Sequence, residues 1–285
     1  MDIAMTENQP KAWPGIRASI WIIILVVLAG IVFSPVDILL RPLIGREATL
    51  FFSFVLTMGV PLWIIYLFRK RFTGQKGFRF SIPDKGTIPY AIIGTIALSV
   101  GVVLPLVSIT LYIFPVPEAF AELMRQIGDP THIAVFATLV IAAPVLEEFI
   151  FRGVILDGLL KKHSPYRAIM VSSLLFAIVH LNPWQFVTAF IMGLFIGWVY
   201  YRTGSLSMAI IIHGANNLFV TIPAFFMEDD AFWDMEPTLA EAYGGWLILA
   251  PVLLLAWILL GFSLNALKKR FNAAPPKPDP TQTEV

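Results

Sequence analysis

The 285 residues contain no cysteine, so disulfides, thiolate metal ligands and a thiol nucleophile are all excluded. Charge is also scarce: Lys, Arg, Asp and Glu make up 14% of the chain, against about a quarter in soluble domains. A net charge of +1 gives no reason to expect a nucleic-acid partner. There are four histidines, and none stands in the HExxH pairing of soluble zinc proteases. We find no internal repeat and no stretch long enough for a separate soluble domain. What the chain does hold is apolar residues, 58% of the total, with a mean hydropathy of +0.79.

That composition predicts an all-α, polytopic membrane bundle. A spanning helix needs roughly 20 mostly apolar residues, and this ruler picks out about eight segments, near 18–35, 48–68, 88–114, 133–157, 168–182, 185–201, 206–226 and 246–265. The fifth and sixth are short and abut at Asn182-Pro183-Trp184, as in a tight hairpin or a partly re-entrant pair. The first follows Lys11 and Arg17 like the core of a signal peptide, but its length and the missing small-x-small site favour a retained anchor. Both termini are expected in the cytoplasm, because that arrangement puts sixteen Lys and Arg on one side and only Arg41, Arg46 and Arg125 on the other. Residues 1–272 read as one integral-membrane domain and 273–285 as a proline-rich disordered tail. The acidic stretch 227–245 is expected outside. Pro117–Ile127, with Phe120, Leu123, Met124 and Ile127 at helical spacing, reads as a short interfacial helix.

Three polar sets interrupt the apolar spans: Glu147, Glu148 and Arg152; Phe176 and His180; His213 and Asn217. Members four residues apart share a helix face. Each set alone has a structural reading, as an ion pair in register, a packed histidine, or interhelical hydrogen bonds of about 0.6 kcal/mol. All three in the second half of one chain point instead to one polar cavity, since an unpaired charge at the bilayer centre costs on the order of 3 kcal/mol. Glu148 is expected to pair with Arg152, leaving Glu147 free. His132, at an external helix start, and His163, in a basic loop, read as solvated.

These residues resemble the CPBP intramembrane proteases, also called the Abi or CAAX-protease family, which includes prenyl-protein endopeptidases of the Rce1 type. The family's EExxxR matches Glu147, Glu148 and Arg152, its FxxxH matches Phe176 and His180, and its HxxxN matches His213 and Asn217, in the family's order on separate segments. The likeness covers about residues 85–225. It implies an endopeptidase in which Glu147 and His180 activate water and His213 and Asn217 hold the oxyanion, with Glu148, Arg152 and Phe176 in support. No cofactor is favoured. The alternative is a divalent metal such as zinc held by Glu147, His180 and His213 with an open position for water. The expected partners are the lipid bilayer and a peptide or membrane-anchored substrate, with or without a lipid group, and the expected location is a bacterial inner membrane. Two other classes remain, a proton-coupled transporter and a non-catalytic assembly, maturation or peptide-resistance factor. Counting residues from the helix ends puts Glu147 and His213 in the cytoplasmic half, predicts a cavity open mainly to that side, and fits His180 less well.

Overall fold

A computed structural model describes residues 12–125, 131–226 and 245–273. Among them every regular element is helical: α1 (Ile16–Ile44), α2 (Arg46–Thr73), α3 (Thr87–Ile113), α4 (Glu118–Arg125), α5 (Ile133–Leu160), α6 (Pro165–Ile178), α7 (Pro183–Thr203), α8 (Leu206–Phe226) and α9 (Trp246–Ala273). Seven of these are long and apolar enough to cross a bilayer, and α6 is the eighth, shorter segment. The chain is an integral membrane protein. The acidic 227–245 stretch and the 273–285 tail lie, but for Gly245 and Ala273, outside the described residues. The interfacial helix expected at 117–127 is present as α4, although the side chains of Leu123, Met124 and Ile127 lie outside the described residues.

Glycine sets the sharpest corner. Gly45, at φ 82, is the single residue between α1 and α2, a left-handed conformation that a side chain disfavours. The two long helices therefore fold back on each other at once.

Fourteen residues of α6 rise only about 21 Å, short of the ~30 Å hydrocarbon core, yet the segment from 165 to 184 runs the length of the bundle. Just before α6, Gly158 packs on Pro14 and Lys162 approaches Gly15. Beyond it, Trp184 Nε1 donates to the carbonyl of Phe114 at the far end of α3 (2.8 Å), and the Trp184 ring packs on Phe120 of α4 (4.9 Å). The turn at 179–182 makes up the missing length.

The basic residues collect at one end. There Arg270 Nη1 pairs with Asp84 Oδ2 (2.8 Å), Arg202 donates to Asn272 Oδ1 (2.6 Å) and Lys161 donates to Gln75 Oε1 (3.1 Å). The 74–86 segment tucks under α8 at this end: Leu206 N donates to Arg79 O (2.8 Å), and Ser205 and Leu206 are buried. The start of α8 is therefore covered by this segment.

The core is α5. Ile150, Phe151, Arg152, Gly153, Val154, Ile155 and Leu156 are all buried, enclosed by α2, α6, α7 and α8. This helix is not regular. Ala137–Ala142 and Phe149–Leu156 are π-helical, and so is Ser99–Val103 in α3; such turns recur at functional sites.

Candidate active site

Between its two π-helical turns, α5 carries a short α-helical stretch, Ala143–Glu148, that ends on the paired glutamates. Glu148 is fully buried, and its Oε1 accepts two hydrogen bonds, from Arg152 Nη1 at 2.6 Å and from His213 Nδ1 at 2.8 Å. Arg152 is equally enclosed. Its Nη2 donates to the carbonyl of Gly193 on α7 (3.2 Å), and its guanidinium lies 4.8 Å over the Phe176 ring. Gly193 allows this because α6 and α7 meet there: a Cβ would lie 3.0 Å from that of Ser173.

The ring of Phe176 is the hub. It packs edge-on against Phe151 (4.8 Å), His180 (5.1 Å) and His213 (5.7 Å) between centroids. The two histidines thus sit around one aromatic ring without touching each other.

Hydrogen-bond partners fix the tautomers. A carboxylate and a carbonyl can only accept, so His213 carries its proton on Nδ1, facing Glu148, and His180 carries its proton on Nδ1, facing Phe176 O at 2.8 Å. In each neutral ring Nε2 is then a bare acceptor. His213 Nε2 lies 3.9 Å from Glu147 Oε2, too far for a direct hydrogen bond and well suited to a water about 2.8 Å from both. Such a water donates one O–H to each acceptor and keeps its lone pairs free. Glu147 retains some exposure, 15%, where Glu148 has none.

His180 is held differently. It follows the end of α6, its carbonyl accepts from Asn182 Nδ2 (2.9 Å), and the next residue, Leu181, takes a left-handed φ of 56, which costs a non-glycine residue about 1–2 kcal/mol. Asn182 in turn caps α7, its Oδ1 accepting from Gln185 N. His180 lies between mid-bundle and the Trp184–Phe114 end. The polar residues therefore extend away from the basic end.

Asn217, one turn beyond His213 on α8, donates from Nδ2 to Leu139 O in the first π-helical turn of α5 (2.8 Å), and its Oδ1 accepts from Asn216 Nδ2 (3.2 Å). Glu147, Glu148, Arg152, Phe176 and His213 thus form one contact set. His180 joins it through Phe176, and Asn217 through α5 and α8. The sequence reading assigned His213 to the oxyanion and missed both its bond to Glu148 and the parts played by Gly193 and Asn216. A backbone carbonyl such as that of Gly193 leaves no sequence signal, whereas Asn216 shows as an amide inside an apolar span.

The metal alternative requires Glu147, His180 and His213 around one ion. Among the described residues no three His, Asp or Glu side chains come together in that way, and both histidines pack on the Phe176 ring. The donor set does not fit an ion in this arrangement. His132 has a local role, its Nδ1 accepting from Ala134 N (3.3 Å) at the start of α5, and His163 lies in the loop before α6.

Residues 129–219 match the family described as Type II CAAX prenyl endopeptidase Rce1-like, a span that contains every residue of this site. Over that segment the chain is similar to the CAAX proteases. It is 32% identical over 152 residues to the "Membrane-embedded CAAX protease MroQ" of Staphylococcus aureus, covering 49% of this chain and 59% of that protein. It is 35% identical over 82 residues to the "Putative membrane peptidase YdiL" of Bacillus subtilis, covering 29% and 34%. The chain thus spans between a third and three fifths of the length of these relatives. No solved structure matches.

Proposed function

We propose that this chain is an intramembrane endopeptidase in which Glu147 is the general base for a water shared with His213. The observation that carries this reading is the line Arg152, Glu148, His213, Glu147. Arg152 pairs with Glu148 in an apolar surround, Glu148 fixes the His213 tautomer, and His213 turns Nε2 toward Glu147 across 3.9 Å. Water attacks the scissile carbonyl while its proton passes to Glu147. The oxyanion is met by the Asn217 amide, which has one N–H beyond the one bound to Leu139. Glu147 then returns the proton to the leaving amine. The family resemblance pairs the water with Glu147 and His180. The 3.9 Å approach favours His213, and it leaves His180, with Nε2 bare on the other edge of Phe176, to accept a hydrogen bond from the substrate backbone.

The substrate class is a peptide or membrane-anchored protein, with lipidation a property to be tested. The bacterial relatives and the basic end of the bundle support a bacterial inner membrane with both termini cytoplasmic.

Purified protein incubated with a peptide library, with metal content measured on the same sample, tests the reading. Glu147→Gln should fold and bind normally and lose about 10²–10⁴-fold in kcat. Full cleavage by Glu147→Gln would overturn the base assignment. A stoichiometric metal whose removal abolishes cleavage would overturn the metal-independent chemistry. Loss of a transport flux, with no cleavage by wild type, would place the protein among proton-coupled carriers.

A further inference from the structure

Resting on the reading of Asn217 as an oxyanion donor, we infer that Asn216 and Ser99 are positioning residues that hold the Asn217 amide in the orientation selected by Leu139 O, with its N–H₂ group toward the substrate. An asparagine can present either its N–H₂ group or its oxygen, and only the former stabilises an oxyanion. The two ends are nearly identical in size, so shape alone does not choose between them.

The choice is made by a chain of hydrogen bonds whose direction is fixed at one end. The carbonyl of Leu139 lies in the π-helical turn Ala137–Ala142, where the Ala143 amide bonds back to Thr138 O. By the same five-residue step the partner of Leu139 O would be the amide of residue 144, which is Pro144 and has none. Leu139 O is thus left without that partner inside a membrane helix, a state that costs several kcal/mol unless another donor is found. Asn217 Nδ2 supplies the donor at 2.8 Å.

From this acceptor the polarity runs outward without a free choice. With Nδ2 committed to Leu139 O, Asn217 Oδ1 turns to Asn216 and needs a donor, which Asn216 Nδ2 provides at 3.2 Å. Asn216 Oδ1 then needs a donor of its own and receives the hydroxyl of Ser99 at 2.9 Å from α3. Reversing any amide would set oxygen against oxygen. Asn216 and Ser99 are both buried, so water cannot substitute cheaply for either. Ser99 is also the first residue of the π-helical turn in α3. The chain therefore joins three helices and ends with the second N–H of Asn217 free for the substrate.

The test measures kcat and KM separately on the fluorogenic form of whichever library peptide the wild type cleaves best. Asn217→Ala is expected to lower kcat about 10²–10³-fold. Asn216→Leu should lower kcat roughly 10-fold or more with KM changed less than about threefold, because the substrate is still held and only the transition state loses its donor. Ser99→Ala should give a smaller loss of the same kind and Ser99→Thr should restore the rate, and this pair carries the test if Asn216→Leu does not fold. In the Asn217→Ala background Asn216→Leu should add nothing further. Full activity of Asn216→Leu and Ser99→Ala beside an inactive Asn217→Ala would overturn this inference alone, as would an undiminished extra loss in the double variant, which would mark a merely structural role. Full activity of Asn217→Ala, or no cleavage by the wild type, would overturn the underlying reading and the inference with it.

Discussion

Replacing Arg152 by Met tests the centre of the site most directly, because methionine keeps most of the volume and removes only the charge and its hydrogen bonds. Arg152 and Glu148 are 1% and 0% exposed and 2.6 Å apart. Removing one partner leaves a buried carboxylate uncompensated, which costs about 3–5 kcal/mol. The bond to Gly193 O and the contact with the Phe176 face are lost as well. At roughly 2–4 °C per kcal/mol for a chain of this size, the thermal midpoint in detergent should fall by about 6–20 °C. Glu148→Leu should cost a similar amount through the stranded guanidinium. The double variant Glu148→Leu/Arg152→Met should recover most of the loss, since Glu148 Oε2 and Arg152 Nε are buried without a hydrogen-bond partner even in the native pair and an apolar replacement removes both. It should still be inactive, because His213 loses the acceptor that fixes its tautomer. Losses below about 1 kcal/mol in both single variants, adding without coupling in the double, would refute the argument: they would mean that water reaches the pair.

Other consequences are open to direct measurement. The absence of cysteine lets single-cysteine variants report topology without a background: Lys76→Cys should label from the cytoplasm, and Leu181→Cys, 73% exposed beside His180, from the opposite side. The reverse pattern would invert the proposed orientation. Gly193→Ala should destabilise by about 1–3 kcal/mol in a thermal melt, since its Cβ would meet both Cβ and backbone of Ser173 at 3.0–3.2 Å; an unchanged midpoint would show that α6 and α7 can separate freely. The Arg270 guanidinium, and after it the Gly86 amide, hold the Asp84 carboxyl below its ordinary 3.8. A depressed value means stabilisation that is complete above about pH 4 and lost as pH falls through the folded-state value. Amide exchange at Gly86, corrected for intrinsic rates, should therefore gain speed only in acid, and a constant protection factor down to pH 2 would contradict the pairing.

The membrane setting was legible without any structure, because a run of about 20 apolar residues has few stable alternatives to a spanning helix. The pairing of Glu148 with Arg152 was legible too, since four residues of one helix bring them together. The limit appears at α6. Its fourteen residues look too short to cross, and only the Trp184–Phe114 bond at the far end shows that the following turn completes the path. Residue counting also assumes that helices begin at the membrane surface, whereas the first turn of α8 is bonded to the 74–86 segment, a contact the sequence does not show.

Within the site, sequence by itself singled out the polar side chains that interrupt the apolar spans, through helical spacing and the cost of intramembrane charge. Tertiary structure alone decided which of them meet. Glu148 reaches His213 across 65 positions in the chain, Phe176 separates the two histidines, and Pro144 leaves Leu139 O open to Asn217. Periodicity within one helix fixes which residues share a face, but the neighbour that face receives depends on packing, rotation and local π-helical turns, and these are settled only when all the helices are in contact.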